Sequence, residues 1–366
     1  MINLHFFPSR RVALYTVKLF LTRSLAVLVA LVLLLMTLNV LGESGKILAV
    51  PGNGDAQLWH YVMLRLPILT SFLLPFSILL GTLIAFTGLN QHSEVVAMKA
   101  AGISAHQMLA PLILASLVLA GLLFAFNEKV VVNSNRAVTA WSDNDYKPLP
   151  PESGIVSNVW LLHGNDLIEA RYVGGYGARF HAQGLTVYAR EKGTLNGILR
   201  AERADPMPGG AWKLTNVRIY DSSMNVVRSL KETTGLQGLR PEQLRLAKVD
   251  PDQLDFWTLR DRIRQLERAG RPSDEAKAGL WHKISGPIST LLMPLLAATA
   301  AFGLARSGQV LLRATIGMAL GFAYFVADNF SLAMGNVGAY PPILAAWAPF
   351  VLFLLVGETV LVRSEE

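Results

Sequence analysis

Residues 25–41 read LAVLVALVLLLMTLNVL, an apolar stretch that contains no charged side chain. An α-helix rises about 1.5 Å per residue and the hydrocarbon core of a bilayer is about 30 Å thick, so a run of this kind predicts a membrane-spanning helix. Similar stretches bring the predicted number of spans to six: 25–41, 66–89, 108–126, 284–304, 314–334 and 343–362.

The distribution of charge predicts one water-exposed insert. Of the 366 residues, 52% are hydrophobic and 16% are charged, which is too apolar for a soluble enzyme of ordinary make-up. Residues 127–279 nevertheless hold 22 of the 33 Lys and Arg and 19 of the 26 Asp and Glu. The sequence therefore predicts a polytopic α-helical membrane protein whose domains are residues 1–126 with spans one to three, the insert 127–279, and residues 280–366 with spans four to six.

Basic residues near the short loops predict the orientation. Six spans place both termini on one side, where most of these residues gather: Arg10, Arg11, Lys18, Arg23, Lys99, Arg306, Arg313 and Arg363, against Lys46, Arg65 and Lys283 at the opposite ends. Both termini are therefore predicted in the cytoplasm and the insert in the periplasm of a bacterium. The first span has the basic lead-in of a signal peptide, but no small-x-small cleavage site follows it, so we interpret it as a retained helix.

The insert is predicted to consist mainly of β-strands. Apolar and polar residues alternate in 168–172 and 185–190, which is the period of half-buried strands, and turn signals rich in Gly, Asn and Asp separate such runs. The pattern favours an antiparallel sandwich, a jelly roll or an open barrel. After the strands, Asp255 is predicted to cap an amphipathic helix that Gly270 closes.

Several kinds of catalytic site are excluded by the residues present. The chain has no Cys, hence no disulfide, no thiolate nucleophile and no Cys-ligated metal. Gly45-Lys46 lacks the upstream Gly and the following Ser or Thr of a nucleotide-binding loop. The seven His show no ligand spacing. We therefore expect no catalytic residue, no metal site and no cofactor bound by this chain.

Asp328 is the acidic residue that lies well inside a predicted span. Burial of a carboxylate in hydrocarbon costs at least about 2.5 kcal/mol, so Asp328 should face a cavity or a cation. One interpretation is a polar contact in a substrate chamber or at a subunit seam. The other is an ion pair within the chain, with Arg65 or Lys283.

Small residues on span five allow close helix packing. Gly317 and Gly321 form a GxxxG pattern, which lets backbones approach one another. The partner of this face is either a helix of another subunit or a helix of the same chain.

The loop 91–102 between spans two and three is predicted to hold a short amphipathic helix on the cytoplasmic side. Ser93 can cap a helix that starts at Glu94, Val95 and Met98 then share one face, and Gly102 ends it. Such a helix either docks into a groove on a motor subunit or lies on the membrane surface.

Four motifs resemble a known family. They are SEVVAMKAAG at 93–102, LWHKISGP at 280–287, YFVADNF at 324–330 and YPPI at 340–343. With the order of three spans, β-domain and three spans, they are similar to the LptF/LptG family, the permease subunits of the lipopolysaccharide exporter in the bacterial inner membrane. The motifs at 280–287 and 340–343 resemble the LptG branch more than the LptF branch.

The resemblance implies a set of partners. An LptF-like second permease subunit would pair with this chain, an LptB-like cytoplasmic ATPase dimer would bind ATP and Mg, and a single helix of an LptC-like protein would insert beside span one. The insert would be a periplasmic β-jelly roll that joins an LptA-like bridge, and lipopolysaccharide would be the substrate. No nucleic acid is implied.

The resemblance also assigns residues to these roles. The ATPase coupling surface would comprise Glu94, Val95, Met98 and Lys99. Candidate substrate-cavity residues are Lys46, Arg306, Arg313 and Asp328, although Arg306 and Arg313 also suit cytoplasmic anchoring. Spans one and five, with their counterparts in the second permease subunit, would enclose a cavity open to the outer leaflet.

Two other functions are kept as alternatives. A non-transporting membrane scaffold could present the β-domain to partners, but a pure anchor needs neither a helix at 94–101 nor an acidic residue at 328. A secondary transporter is less favoured, because the sequence shows no internal repeat and no relay of Asp, Glu and His across the spans.

Overall fold

The computed structural model describes residues 8–148, 156–175, 180–191, 194–221, 224–246, 249–268, 270–303 and 310–363. Within these ranges, six helical segments are long and apolar enough to cross a membrane, so the predicted six spans are confirmed. The helices are α1 (Arg10–Leu48), α2 (Asp55–Gln91), α3 (Glu94–Ala100), α4 (Ala105–Phe126), α5 (Val132–Asp143), α6 (Pro241–Leu246), α7 (Phe256–Arg268), α8 (Asp274–Ala298), α9 (Val310–Asn336) and α10 (Pro342–Arg363).

Two spans continue as helix well beyond their apolar stretches. Span one extends through α1 to Leu48, past the polar residues that follow 25–41. Span three leaves α4 through a π-helical turn, Asn127–Val131, and continues as α5 to Asp143. Hydropathy alone marks only the apolar part of such helices, because their polar continuation needs no lipid around it.

The described chain divides into two compact units. The first comprises residues 1–42, 62–134 and 251–366, and the second comprises 43–61 and 135–250. The core of the first unit is formed by α2, α4 and α8 together with α9 and α10. Its most buried span is α8, with 78% of its apolar window buried, against 17% for α1.

The GxxxG face of α9 packs within the chain. A Cβ on Gly321 would collide with the side chain of Leu79, and one on Gly317 would lie 2.7 Å from Leu83. Both leucines belong to α2. Of the two partners that the sequence left open, the structure therefore shows the one in the same chain.

The second unit contains a six-stranded antiparallel sheet, which confirms the predicted all-β insert. Its strands are β1 (Val156–His163), β2 (Asp166–Gly174), β3 (His181–Glu191), β4 (Thr194–Pro206), β5 (Trp212–Asp221) and β6 (Val226–Gly235). Each strand pairs with the next one in the chain, as in a meander. The apolar core covers one face and includes the fully buried Trp212, whose indole N–H donates to the carbonyl of Leu239 at 2.8 Å.

A row of residues with left-handed backbone conformation, that is with positive φ, crosses this sheet. Asn158 in β1, Gly184 in β3 and Asn216 in β5 have φ of 51°, 62° and 54°, and the strand pairing aligns them. On a regular strand, residues three apart point to opposite faces. Ala170 and Val173 on β2 are three apart and yet both are buried, so the alternation of buried and exposed positions shifts by one residue at this row. Such irregularities bend strands and re-aim side chains.

The helix predicted after the strands is confirmed as α7. The carboxylate of Asp255 accepts the backbone N–H of Thr258 at 3.0 Å, which satisfies one of the unpaired donors at the helix start. The buried face consists of Leu259, Ile263 and Leu266, and Gly270 follows the helix with φ 63°. Helix α7 packs against α8 in the first unit.

Candidate functional site

Helix α3 is held at the turn between α2 and α4, as the sequence predicted, but its first turn is built differently. Ser93 has a left-handed backbone, with φ 60°, and its side chain forms no capping hydrogen bond. The predicted Ser93 cap is therefore wrong. Ser104 forms a capping box with Gln107 at the start of α4 instead, since its extended backbone lets the hydroxyl reach the N–H three residues on.

One face of α3 anchors the helix to the bundle. Val95 is 4% exposed and lies in the core of the first unit, against which Met98 also packs. The opposite face is exposed and contains Val96, at 64% exposure, with Ala97, Lys99 and Ala100. Of the predicted coupling residues, Val95 and Met98 thus contact their own chain, whereas the exposed Val96 was not among those predicted.

Glu94 lies at the edge between these two faces. Its carboxylate accepts the hydroxyl of Tyr15 from α1 at 3.2 Å. The start of α1 and the start of α3 are therefore neighbours, and the half-buried Glu94 is partly engaged within the chain.

Four polar pairs join neighbouring helices near the end of the bundle from which the insert departs. Arg65 of α2 donates to Asn39 of α1 at 3.2 Å, and Ser71 of α2 donates to Asn127 in the π-helical turn at 2.6 Å. The third and fourth pairs are Lys283 with Glu128 and His282 with Asp328. Each pair connects a different pair of segments, so α1, α2, the π-helical turn, α8 and α9 are linked in series.

Asp328 has a partner that the sequence analysis did not identify. Its carboxylate lies 3.0 Å from Nε2 of His282. Neither Arg65 nor Lys283 fills this place, so an intrachain partner is present but both predicted residues were wrong. The reason is helix geometry, because consecutive residues on α8 point about 100° apart and Lys283 therefore faces a different neighbour from His282.

Glu128 and Lys283 form an ion pair that is largely, though not fully, shielded from solvent. The side chains are 14% and 12% exposed, and Nζ of Lys283 lies 3.2 Å from the carboxylate. The same carboxylate accepts the first backbone N–H of α7, that of Phe256. Glu128 thus ties the end of span three to α7 and α8, and its position in a π-helical turn fits the tendency of such turns to occur at functional sites.

Of the three cationic residues predicted for the cavity, Lys46 is the one whose side chain lies among the described residues. Lys46 is 67% exposed and pairs with Glu43 three residues earlier at 3.1 Å. Arg306 lies outside the described residues. Arg313 belongs to α9, but its side chain also lies outside them.

Several spans expose apolar side chains, and α1 and α9 are two of them. On α1 the exposed side chains include Leu33, Leu34, Leu38 and Leu41. On α9, Met318, Phe322, Val326 and Phe330 recur every four residues and form one exposed stripe. These faces suit lipid chains or the helices of a second subunit.

The chemistry of these sites is that of binding and mechanical linkage. In the part of the chain that the structure describes, no cluster of three or more His, Asp and Glu has the arrangement of a metal site. The carboxylates of the polar pairs are all engaged by donors, so they can hold helices together in one arrangement.

Comparison with known proteins assigns the family. The model of the family "Lipopolysaccharide export system permease LptF/LptG" matches residues 14–363. The lipopolysaccharide export system permease protein LptG of Escherichia coli K12 is 26% identical over 318 residues, which cover 83% of this chain and 85% of that protein. The LptG of Haemophilus influenzae Rd is 26% identical over 325 residues, or 86% and 89% of the two chains. With six helices long and apolar enough to span a membrane and an inserted antiparallel sheet, this chain belongs to the LptF/LptG family of lipopolysaccharide export permeases.

Proposed function

We propose that this chain is the LptG-type half of the permease, paired with an LptF-like subunit and driven through α3 by an LptB-like cytoplasmic ATPase dimer. The main support for this proposal is that α3 buries one face in the bundle and exposes an apolar side chain on the other. Val95 fixes the helix to the bundle core, while Val96 is left on the opposite face at 64% exposure. An apolar side chain presented on an anchored helix is what a protein partner can bury.

The orientation follows from charge. We infer that the start of α1, helix α3 and the end of α10 face the cytoplasm, because their flanks carry most of the basic residues near short loops. The sheet of the second unit is then periplasmic. ATP and Mg would be bound by the partner subunit alone.

The exposed faces of α1 and α9 support a cavity shared with the second permease subunit. Removing a lipid from the bilayer forfeits about 0.8 kcal/mol per buried CH₂ unless other apolar surface replaces it. The stripe Met318, Phe322, Val326 and Phe330 and the leucines of α1 supply such surface. ATP-driven closure of this cavity would move the lipid towards the periplasmic domains, where an LptC-like protein and an LptA-like bridge would receive it.

The scaffold alternative predicts no energy-coupling surface. A membrane anchor for a β-domain gains nothing from a separately anchored helix between α2 and α4, nor from the polar pairs that link its spans in series. These features favour the transport proposal.

Cysteine labelling tests the orientation, and because the chain has no Cys of its own, any label on it reports the introduced thiol. Ala97→Cys on the exposed face of α3 and Val227→Cys on β6 place single thiols at exposed positions. In intact spheroplasts, a membrane-impermeant maleimide should label Val227→Cys at once and Ala97→Cys only after permeabilisation. The reverse pattern would overturn the orientation, and equal labelling of both would show that neither side is protected.

A further inference from the structure

The face of the sheet opposite its apolar core carries a polar groove of about 900 Å³. Strands β2 to β6 line it, and the left-handed row passes through it at Gly184 and Asn216. This volume lies at the upper end of the range of small-molecule sites. An oligosaccharide of a few sugar units fits such a space, whereas a single small ion would leave most of it to water.

The groove has an excess of positive charge. Its lining includes Arg171, Arg200, Arg218 and Lys231, against the carboxylates of Glu169 and Glu202. Both carboxylates already accept hydrogen bonds from neutral donors, Glu169 from the Tyr188 hydroxyl at 2.9 Å and Glu202 from the Asn216 amide at 2.6 Å. The carboxylates keep their charge in these hydrogen bonds, so four cationic side chains against two anionic ones leave the lining with a net positive charge.

Two arginines in the groove are placed directly against each other. Arg200 on β4 and Arg218 on β5 are cross-strand partners, with their side chains on the groove face. Like charges at directly opposed positions destabilise a sheet. An anion held between the two guanidinium groups would attract both and so offset their mutual repulsion, since guanidinium binds phosphate and carboxylate in a bidentate way.

Two cations of the same sheet outside the groove are paired with carboxylates. Arg203 binds Asp205 through two nitrogens, and Lys213 pairs with Glu232 at 2.8 Å. Within the described ranges, Arg218 and Lys231 form no ion pair and no side-chain hydrogen bond. Arg203 and Lys213, outside the groove, are thus paired with carboxylates, whereas Arg218 and Lys231, inside it, are not in the part of the chain that the structure describes.

Hydroxyl-bearing and aromatic side chains surround these cations. The ring of Tyr220 lies under Arg200, with the guanidinium carbon 5.5 Å from the ring centre. Thr186 and Ser229 flank the two arginines in the same row of paired residues. Burial, followed by the hydrogen bond to Glu169, raises the pKa of Tyr188, so its hydroxyl stays protonated at neutral pH.

We propose that this groove binds an anionic oligosaccharide, with phosphate groups between Arg200 and Arg218 and sugar hydroxyls on the surrounding polar side chains. Its polar walls do not suit acyl chains. The sugar is assigned to the headgroup of the transported lipid, and this assignment of its source rests on the proposed transport function. The β-domain would then hold the headgroup by charge and hydrogen bonds, separately from the apolar faces of the membrane helices.

Calorimetric titration of the purified full-length chain in detergent tests the site without any partner. The probe is the phosphorylated core oligosaccharide released from lipopolysaccharide by complete deacylation. Arg218→Gln should weaken binding by about tenfold or more, because it removes a charge-assisted contact. The matched control is Arg228→Gln, an exposed arginine on β6 outside the groove, which should change the affinity by less than about twofold.

The chemistry of the ligand gives a second comparison. Phosphatase treatment of the same oligosaccharide should reduce its affinity by about tenfold or more, and inorganic phosphate should bind more weakly than the intact sugar. Equal losses in Arg218→Gln and Arg228→Gln would mean non-specific charge attraction and would overturn the proposal. So would equal affinity for the dephosphorylated sugar, or binding of inorganic phosphate as tight as that of the oligosaccharide.

A photoreactive residue at Ser229, in the groove, distinguishes the source of the sugar. In nanodiscs that contain lipopolysaccharide, it should cross-link to the lipid headgroup. Binding of the free oligosaccharide without this cross-link would reject the headgroup as the ligand. This result would leave the transport proposal intact, because that proposal depends on α3 and the membrane helices.

Discussion

Val96→Asp is expected to abolish co-purification of the cytoplasmic ATPase with this chain. Val96 is 64% exposed on the outer face of α3, and a charge in place of an apolar residue at the centre of an interface would be buried without a partner. Losses at such positions reach at least about 2 kcal/mol, or about thirtyfold in affinity. The measurement is the amount of ATPase recovered when the tagged chain is purified from its own membrane.

A matched control is available on the β-domain. Val227 on β6 is 66% exposed, so Val227→Asp makes the same substitution at an equally accessible site and should leave the recovered ATPase unchanged. Glu94→Arg should also reduce recovery, whereas Tyr15→Phe, which removes only the hydrogen bond to Glu94, should not. Wild-type recovery with both Val96→Asp and Glu94→Arg would contradict coupling through α3.

Lys283→Met is expected to cause the largest loss of stability. It leaves the carboxylate of Glu128, which is 14% exposed, with the backbone N–H of Phe256 but without its cation. Removal of one partner of a buried ion pair destabilises a protein by about 3–5 kcal/mol, because the other charge stays buried. Unfolding of the purified chain in detergent, followed by intrinsic fluorescence, measures this effect.

The exposed ion pair of Lys46 and Glu43 supplies the control. Lys46 is 67% exposed, so Lys46→Met should cost less than about 1 kcal/mol. Adding Glu128→Gln to Lys283→Met should restore part of the lost stability, since glutamine keeps an acceptor for Phe256 without the buried charge. Equal losses in Lys283→Met and Lys46→Met would contradict a buried pair at this position.

The spans and the strands could be predicted because they follow from composition and period. Six apolar stretches and alternating polarity at 168–172 and 185–190 are properties of contiguous sequence. The amphipathic helix α3 could also be predicted, but the pattern does not indicate which of its faces packs against the bundle. Val95 was predicted to contact the ATPase, whereas in the structure its side chain is buried in the core of its own chain.

The polar pairs could not be predicted, because they depend on distances between residues far apart in the chain. The sequence indicates that Asp328 needs a partner. Which of the adjacent residues His282 and Lys283 faces it depends on the rotation of α8 about its axis. Nothing in the sequence marks Glu128 as a residue with a partner inside the bundle, because it lies at the start of a charged segment and resembles a solvent-exposed residue. Only the continuation of span three as a π-helical turn places it inside the bundle.

The charged groove escaped the sequence analysis for a related reason. Arg200 and Arg218 each occupy an ordinary outward position of an alternating strand, and their apposition depends on the register between β4 and β5. Asn158 and Asn216 tolerate left-handed backbone better than most residues, but nothing local marks them as aligned across the sheet.

Site-specific photocross-linking in living cells tests most directly whether α1 and α9 carry the lipid. A photoreactive residue at Leu34 of α1 or at Val326 of α9 should cross-link to lipopolysaccharide, with the yield dependent on a functional ATPase. The same residue at Leu352 of α10, which is 56% exposed, should cross-link only to phospholipid. If positions 34, 322, 326 and 330 all give phospholipid adducts alone, as position 352 does, these helices do not form the lipid path.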